Sequence, residues 1–193
     1  MFTDEYKTVE AEGEMGIDDS GNRLTAVVLS VDSEEKAQKA RDRIFQKFPD
    51  AIEKIFCYKI GLEPDMIVKT GGGETEVEQA LADVFKNEEI TNVCLAVIRE
   101  KISSQAKIPS VLAYRDAASN AVRRARIVKR ILYDTVRFKV NREDLNSVSR
   151  YITDNRGKIL QTIEGAPSIV VVKIRRIQIE SLAKGLADLT GGK

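Results

Sequence analysis

A chain of 193 residues with 42% apolar side chains can bury a sizeable core, and its 32% of charged residues implies a well-solvated surface. No apolar run approaches the roughly 18 residues a membrane helix needs, and the polar, acidic start from Met1 to Glu14 lacks the basic and apolar regions of a secretory signal, so a cytoplasmic location is expected. With no His and two Cys, the chain lacks the ligands for an ordinary zinc site and the usual general base, which points away from metal and acid–base enzymes.

The net charge of +1 hides a split. Residues 1–98 carry 11 Lys and Arg against 21 Asp and Glu, whereas residues 99–193 carry 20 against 9. Such an asymmetry fits an anion-binding surface on the second half, or attraction between the halves within one chain or between copies.

In chain order, the β-branched run Leu24–Val31 predicts a strand. Asp32-Ser33 offers an N-cap, and Ala37, Ala40, Ile44 and Phe48 recur at helical spacing until Pro49-Asp50. Ile52–Ile60 alternates apolar and polar as a second strand, and a short strand is expected at Met66–Val68 after the loop holding Gly61 and Pro64. Thr70 to Gly73 reads as a turn, Val77, Leu81, Val84 and Phe85 mark a helix over 74–86, and the unbroken apolar run Asn92–Ile98 predicts a central strand buried on both faces. After a polar loop ending at Pro109, a helix over 110–126 buries Val111, Tyr114, Ala118, Ala121, Val122 and Ala125 and turns Arg115, Arg123 and Arg126 outward.

A second unit is predicted from about Val128. Ile131–Val140 reads as a strand, and Asn141 caps a helix over 142–154 that stops at Asn155-Arg156-Gly157. Two strands, Ile159–Ile163 and Ser168–Ile174, flank the Gly165-Ala166-Pro167 turn before a last helix over 178–189. The order β-α-β-β-α suits a small split βαβ sandwich. Cys57 and Cys94 lie in apolar strand-like runs and read as small buried side chains.

Chemistry-bearing motifs are few. Gly71-Gly72-Gly73 stands between a strand and a helix, where a phosphate cradle would form, but Glu74, Glu76 and Glu78 repel phosphate and no P-loop pattern surrounds it, so a plain turn is expected. The acidic pairs Asp18-Asp19 and Glu88-Glu89 read as solvated surface rather than a cation site. The densest feature is Arg123 to Arg130, with five cations in eight residues, which suits phosphate contact without sequence readout, or a solubilising helix end.

Several segments then fall in a familiar order. Tyr6-Lys7-Thr8-Val9 with Ala11 to Glu14, Asn22 to Ala26, Phe48 to Ala51, Cys57 to Gly61, Thr91 to Arg99, Ala113 to Ala118 and Leu186 to Gly192 together resemble the IMPACT/YigZ family, uncharacterised protein family 0029, over nearly the whole chain. The resemblance implies an α+β protein with an N-terminal ribosomal-protein-S5-domain-2-like domain (1–128), followed by a small ferredoxin-like domain similar to the end of elongation factor G (129–193). It implies a non-enzymatic binding module without cofactor. Eukaryotic members of the family regulate translation under amino-acid starvation, and bacterial members are suspected of nucleic-acid or ribosome contact. The chain departs from the family's glycine-rich hallmark: Arg99 is followed by Glu100 to Leu112 with every glycine missing, and Glu63-Pro64 with Thr70 to Gly73 keep only traces of the upstream motif.

The resulting expectation is a cytosolic module contacting RNA, the ribosome or a translation factor through Arg99, Lys107, Arg115, Arg123, Arg124, Arg126, Lys129 and Arg130. The alternative is a protein-interaction or oligomerisation module that pairs its acidic and basic halves without nucleic acid.

Overall fold

The computed structural model describes residues 4–62, 67–69 (backbone only) and 71–191; Met1, Glu63, Pro64, Met66, Thr70 and Gly192, named above, lie outside the described residues. The fold is mixed α and β with antiparallel sheets. By contacts the chain divides into two compact units, residues 6–130 and residues 131–191 joined by Asp4 and Glu5.

In the first unit the elements run β1 (Glu5–Val9), β2 (Gly13–Asp19), β3 (Asn22–Ser30), α1 (Glu34–Gln46), β4 (Glu53–Lys59), β5 (Ile67–Lys69), α2 (Thr75–Asn87), β6 (Val93–Lys101), α3 (Val111–Arg124) and β7 (Ile127–Ile131). Five strands form one sheet in the order β2-β3-β6-β4-β5. Both faces of this sheet are covered. Leu24, Ile55, Leu95 and Val97 meet Leu81 and Phe85 of α2 and Tyr114 and Ala118 of α3. Val27, Phe56, Cys94 and Ala96 meet Ala37 and Ile44 of α1 on the other side. Burial on two faces explains why β6 reads as an unbroken apolar run and lies at the sheet centre, as its sequence predicts. It also corrects the alternation expected for β4: Ile55, Phe56, Cys57 and Tyr58 are all buried in succession, and Ile52 lies outside the strand and half exposed.

Local chemistry sets the helix ends. The Ser33 hydroxyl accepts from the Lys36 amide to cap α1, and Ser110 does the same for Ala113 at the start of α3. Helix α3 stops two residues earlier than its periodicity predicts. The Glu10 and Ala11 amides donate to the Ala125 carbonyl, Glu10 also donates to Arg126, and Arg126 takes a left-handed φ of 60°. Strand β2 was not expected, because its acids and glycines resemble a loop. Its signal is the two-residue link Ser20-Gly21, with φ of 51° and 79°, which makes a tight hairpin to β3.

In the second unit the order is β8 (Tyr133–Val140), a 3-10 turn (Arg142–Asp144), α4 (Leu145–Asp154), β9 (Lys158–Ile163), β10 (Ser168–Arg175), a 3-10 turn (Arg176–Gln178) and α5 (Ile179–Leu189). The sheet order is β8-β10-β9. One face packs Val136, Phe138, Val140, Val170, Val172 and Ile174 against Val148 and Ile152 of α4 and Leu182 and Leu186 of α5. The single strand expected over 131–140 is broken at Leu132, whose amide donates to the Asp4 carbonyl at 2.7 Å and whose carbonyl accepts from Arg176. β7 pairs with β1 instead of joining β8. Asn141 makes no side-chain cap, and at the end of α4 the left-handed residue is Arg156 (φ 63°), not Gly157. Gly157 is needed for closeness: a Cβ there would lie 2.7 Å from the Ile152 side chain.

Candidate anion-binding surface

The eight cations singled out above do not form one surface. Arg99, on β6, donates from Nε to Glu53 Oε2 at 2.9 Å, and the Tyr114 hydroxyl donates to the same carboxylate oxygen. Arg99 and Glu53 are each about four-fifths buried. Burial and this carboxylate together push the Tyr114 hydroxyl pKa upward, so it remains a donor. The triad ties β4, β6 and α3 together, and Arg99 is occupied within the fold.

Arg126 is exposed but lies 3.3 Å from Glu10. Lys107 lies in the loop between β6 and α3. There its amide donates to Ser20 and its carbonyl accepts from the Asn22 side chain, while its ammonium is exposed. That loop is therefore fastened by backbone bonds to the β2–β3 hairpin.

Arg115 and Arg123 stand two turns apart on the outer face of α3, lining a shallow depression with Asp116, Ser119 and Asn120. Arg123 and Arg124 occupy the last turn of α3, where the helix dipole favours positive charge. Lys129 and Arg130 follow on β7, and strand alternation sends neighbouring side chains to opposite faces. Arg130 lines a separate cleft with Tyr6, Thr8, Asp32, Lys36 and Asn92. Five cations in eight residues are thus divided by a helix end, a left-handed residue and a strand. None of Arg115, Arg123, Arg124, Lys129 and Arg130 makes an ion pair among the described residues.

Other motifs resolve into structure. A Cβ on Gly72 (φ 120°) would lie 2.2 Å from the Lys54 carbonyl, so the triple glycine is a turn pressed onto β4. Cys57 and Cys94 are buried in the two different cores, on opposite faces of the sheet, and burial pushes the Cys94 thiol up to about 12. Among the described residues no group of three His, Cys, Asp or Glu side chains gathers as a metal site, and no helix is long and apolar enough to cross a membrane.

Sequence reasoning passed over a different set of cations, Arg137, Lys139, Lys158 and Lys173, all exposed on the three-stranded sheet. The available signal was alternation: Val136, Phe138 and Val140 of β8 are apolar, and the residues between them are Arg137 and Lys139.

No protein-family model matches this chain, and no curated protein matches it. Among solved structures, one described as a hypothetical protein aligns over 100% of this chain and 96% of its own, with a TM-score of 0.70 and 14% identity, which shows a shared fold. The two-domain translational regulator Yih1 aligns over 60% of this chain and 47% of its own, at 22% identity and a TM-score of 0.42. A protein from Thermus thermophilus aligns over 100% of this chain and 28% of its own, at 16% identity and a TM-score of 0.44.

Proposed function

We propose that this chain is a divergent relative of the IMPACT/YigZ proteins and acts as a binding module rather than an enzyme, contacting RNA or the ribosome. In this reading the first unit corresponds to the S5-domain-2-like part. The second, β-α-β-β-α with β10 central, is a ferredoxin-like unit without a fourth strand. The collinear segments from Tyr6 to Leu189 support the family assignment.

One observation carries the binding reading. Arg115, Arg123 and Arg124 are exposed on one helix with only Asp116 beside them, whereas Arg99 and Arg126 have carboxylate partners. Unpaired Lys and Arg on an exposed helix neutralise phosphates without reading bases. The rival reading, a module joining acidic and basic halves between copies, has less support, since Glu53–Arg99 and Glu10–Arg126 already pair those halves inside one unit.

The test is RNA binding by the double variant Arg115→Glu with Arg123→Glu. Affinity should fall about equally for unrelated sequences, and the salt dependence should flatten by about 0.7 log units per lost contact to a single strand. Wild-type protein that binds neither RNA nor ribosomes at low salt overturns the reading, as does a variant that loses melting temperature while keeping its affinity.

A further inference from the structure

The second unit has a sheet covered on one side only. Its strand register sets out the other side. Tyr133, Thr135, Arg137 and Lys139 of β8 stand opposite Arg175, Lys173, Val171 and Ile169 of β10. Across β10, Lys173 faces Lys158, Val171 faces Gln161 and Ile169 faces Ile163 of β9. The intervening residues of β8 and β10, from Val136 to Val140 and from Val170 to Ile174, are the ones that pack on α4 and α5. So Arg137, Lys139, Lys158 and Lys173 share one open face, and all four are exposed.

This face carries one sign of charge. None of the four cations forms an ion pair among the described residues. Lys173 places its ammonium 5.3 Å from the centroid of the Tyr133 ring. The acids of the unit lie elsewhere. Glu143, Asp144, Asp154, Glu180 and Asp188 belong to the helices or the turns leading into them. Asp134 is held by Arg176 at 2.8 Å, and Glu164 sits in the β9–β10 connection. At the Arg175 end, Asp4 and Glu5 both bind that guanidinium.

Like charges directly opposite in a sheet are destabilising, and Lys158 and Lys173 are such a pair. A sequence that keeps them without an intervening acid fits a face that meets an external anion. Same-face residues repeat about every 6.8 Å along a strand, which separates the long side chains enough for each to take its own phosphate. Apolar surface flanks the cations at the two ends of the face: Tyr133 is 47% exposed at one, and Ile163, 43% exposed, stands beside the half-buried Ile169 at the other. Single-stranded nucleic acid combines these two demands, charge along its backbone and flat bases for apolar and aromatic side chains. An acidic peptide added to a strand edge gains affinity from main-chain hydrogen bonds, whereas these cations project from one face and are spread over all three strands. A duplex would leave the apolar surface without use.

We infer that the open face of the β8-β10-β9 sheet binds single-stranded RNA, with Arg137, Lys139, Lys158 and Lys173 on the backbone and Tyr133 and Ile163 against bases. This face belongs to the second unit and the α3 cations to the first, and each is tested by its own variants.

The experiment uses the full chain and a labelled uridine oligonucleotide of about 12 residues, a length within the range of single-strand sites. Arg137→Glu with Lys158→Glu should weaken binding at least tenfold and flatten the salt slope by about 1.4 log units, for two contacts at roughly 0.7 each. Lys139→Gln with Lys173→Gln, which removes charge without reversing it, should weaken binding less but in the same sense. Tyr133→Ala should reduce single-strand affinity roughly tenfold and leave duplex affinity unchanged. Circular dichroism should show all three variants folded. If only the α3 variant loses binding, the sheet-face inference is overturned while the α3 surface stands; if only the sheet-face variants lose it, the reverse holds. Preference for an RNA duplex of the same length, or displacement of the oligonucleotide by polyglutamate at equal charge concentration, also overturns it.

Discussion

The two units answer the same problem, a sheet with apolar residues to hide, in opposite ways. In the first unit α1 covers one face of the five-stranded sheet and α2 with α3 the other, so β4 and β6 each hold an unbroken buried run, from Ile55 to Tyr58 and from Val93 to Ile98. In the second, α4 and α5 cover one face, and β8 alternates exposed with half-buried residues up to the buried Val140. The difference teaches where surface chemistry has room. A doubly covered sheet offers only its helices and loops to a partner, whereas a singly covered sheet offers a whole face of strand side chains.

Charge follows the units rather than the halves of the sequence. Residues 6–130 hold 20 Lys and Arg against 21 Asp and Glu, close to balance. The acidic half and much of the basic half fold into one unit, and Glu53–Arg99 and Glu10–Arg126 pair them there. Beyond residue 130 the chain has 11 Lys and Arg against 7 Asp and Glu, and the cations of its sheet are separated by face from the acids of its helices.

The contrast is sharpest in the cores. Ile152 is fully buried among Val148, Val172 and Leu182 in the smaller of the two. Ile152→Ala should cost about 3–4 kcal/mol. Hydrogen exchange should accelerate across β8, β9 and β10 and stay slow in β3 and β6. Equal acceleration in both sheets would show that the two cores are one cooperative structure.

Next in size is Gly13→Val, aimed at the first unit. A Cβ at Gly13 would lie 2.3 Å from the Ala121 carbonyl and 2.7 Å from the Ala125 Cβ, so β2 must move away from α3. Overpacking of this kind should cost about 2–3 kcal/mol, with β2 and β3 losing protection and β10 keeping it. A melting temperature unchanged from wild type would contradict the close packing of β2 on α3.

A smaller effect is expected from Glu53→Gln, which leaves the Arg99 guanidinium and the Tyr114 hydroxyl without their carboxylate. The site is about one-sixth exposed, so we expect about 1–2 kcal/mol rather than the larger cost of a wholly buried pair. Tyr114→Phe should cost about 1 kcal/mol, and the double variant should cost less than the sum, because both remove one shared contact. Strict additivity in that cycle would break the triad.

The mildest test is pH. The Arg175 guanidinium, bound at 2.8 and 2.9 Å, holds the Asp4 carboxyl below its usual range. The folded value therefore lies below the unfolded one of about 3.9. Its contribution is complete above that unfolded value and is lost as pH falls through the folded one. Asp4→Asn should lower the melting temperature near neutrality and make the acid limb of the second unit shallower. An acid limb identical to wild type would remove Asp4 from this account.

Much of the backbone was readable beforehand because local signals agreed with tertiary ones. Ser33 and Ser110 cap the helices that follow them, and the β-α-β-β-α order of the second unit follows from its periodicities. The misses have particular causes. β2 is an edge strand whose glycines and acids carry no apolar run. β7 and β8 read as one strand because the break at Leu132 is made by distant partners, Asp4 and Arg176. The candidate site was less legible still. Arg123 to Arg130 is dense in sequence but is divided in space, while Arg137, Lys139, Lys158 and Lys173 are scattered along 37 residues and share a face.

The sequence by itself determined the helices, the central strand β6 and the absence of histidine chemistry, since caps, periodicity and composition act over a few residues. Only the tertiary structure decided which cations are neutralised and which stand together. A carboxylate 46 residues away quenches Arg99, and strand register across β10 brings Lys158 opposite Lys173. Charge along a chain can be counted, but electrostatic interaction falls with distance in space, and that distance is set by how the sheets pair.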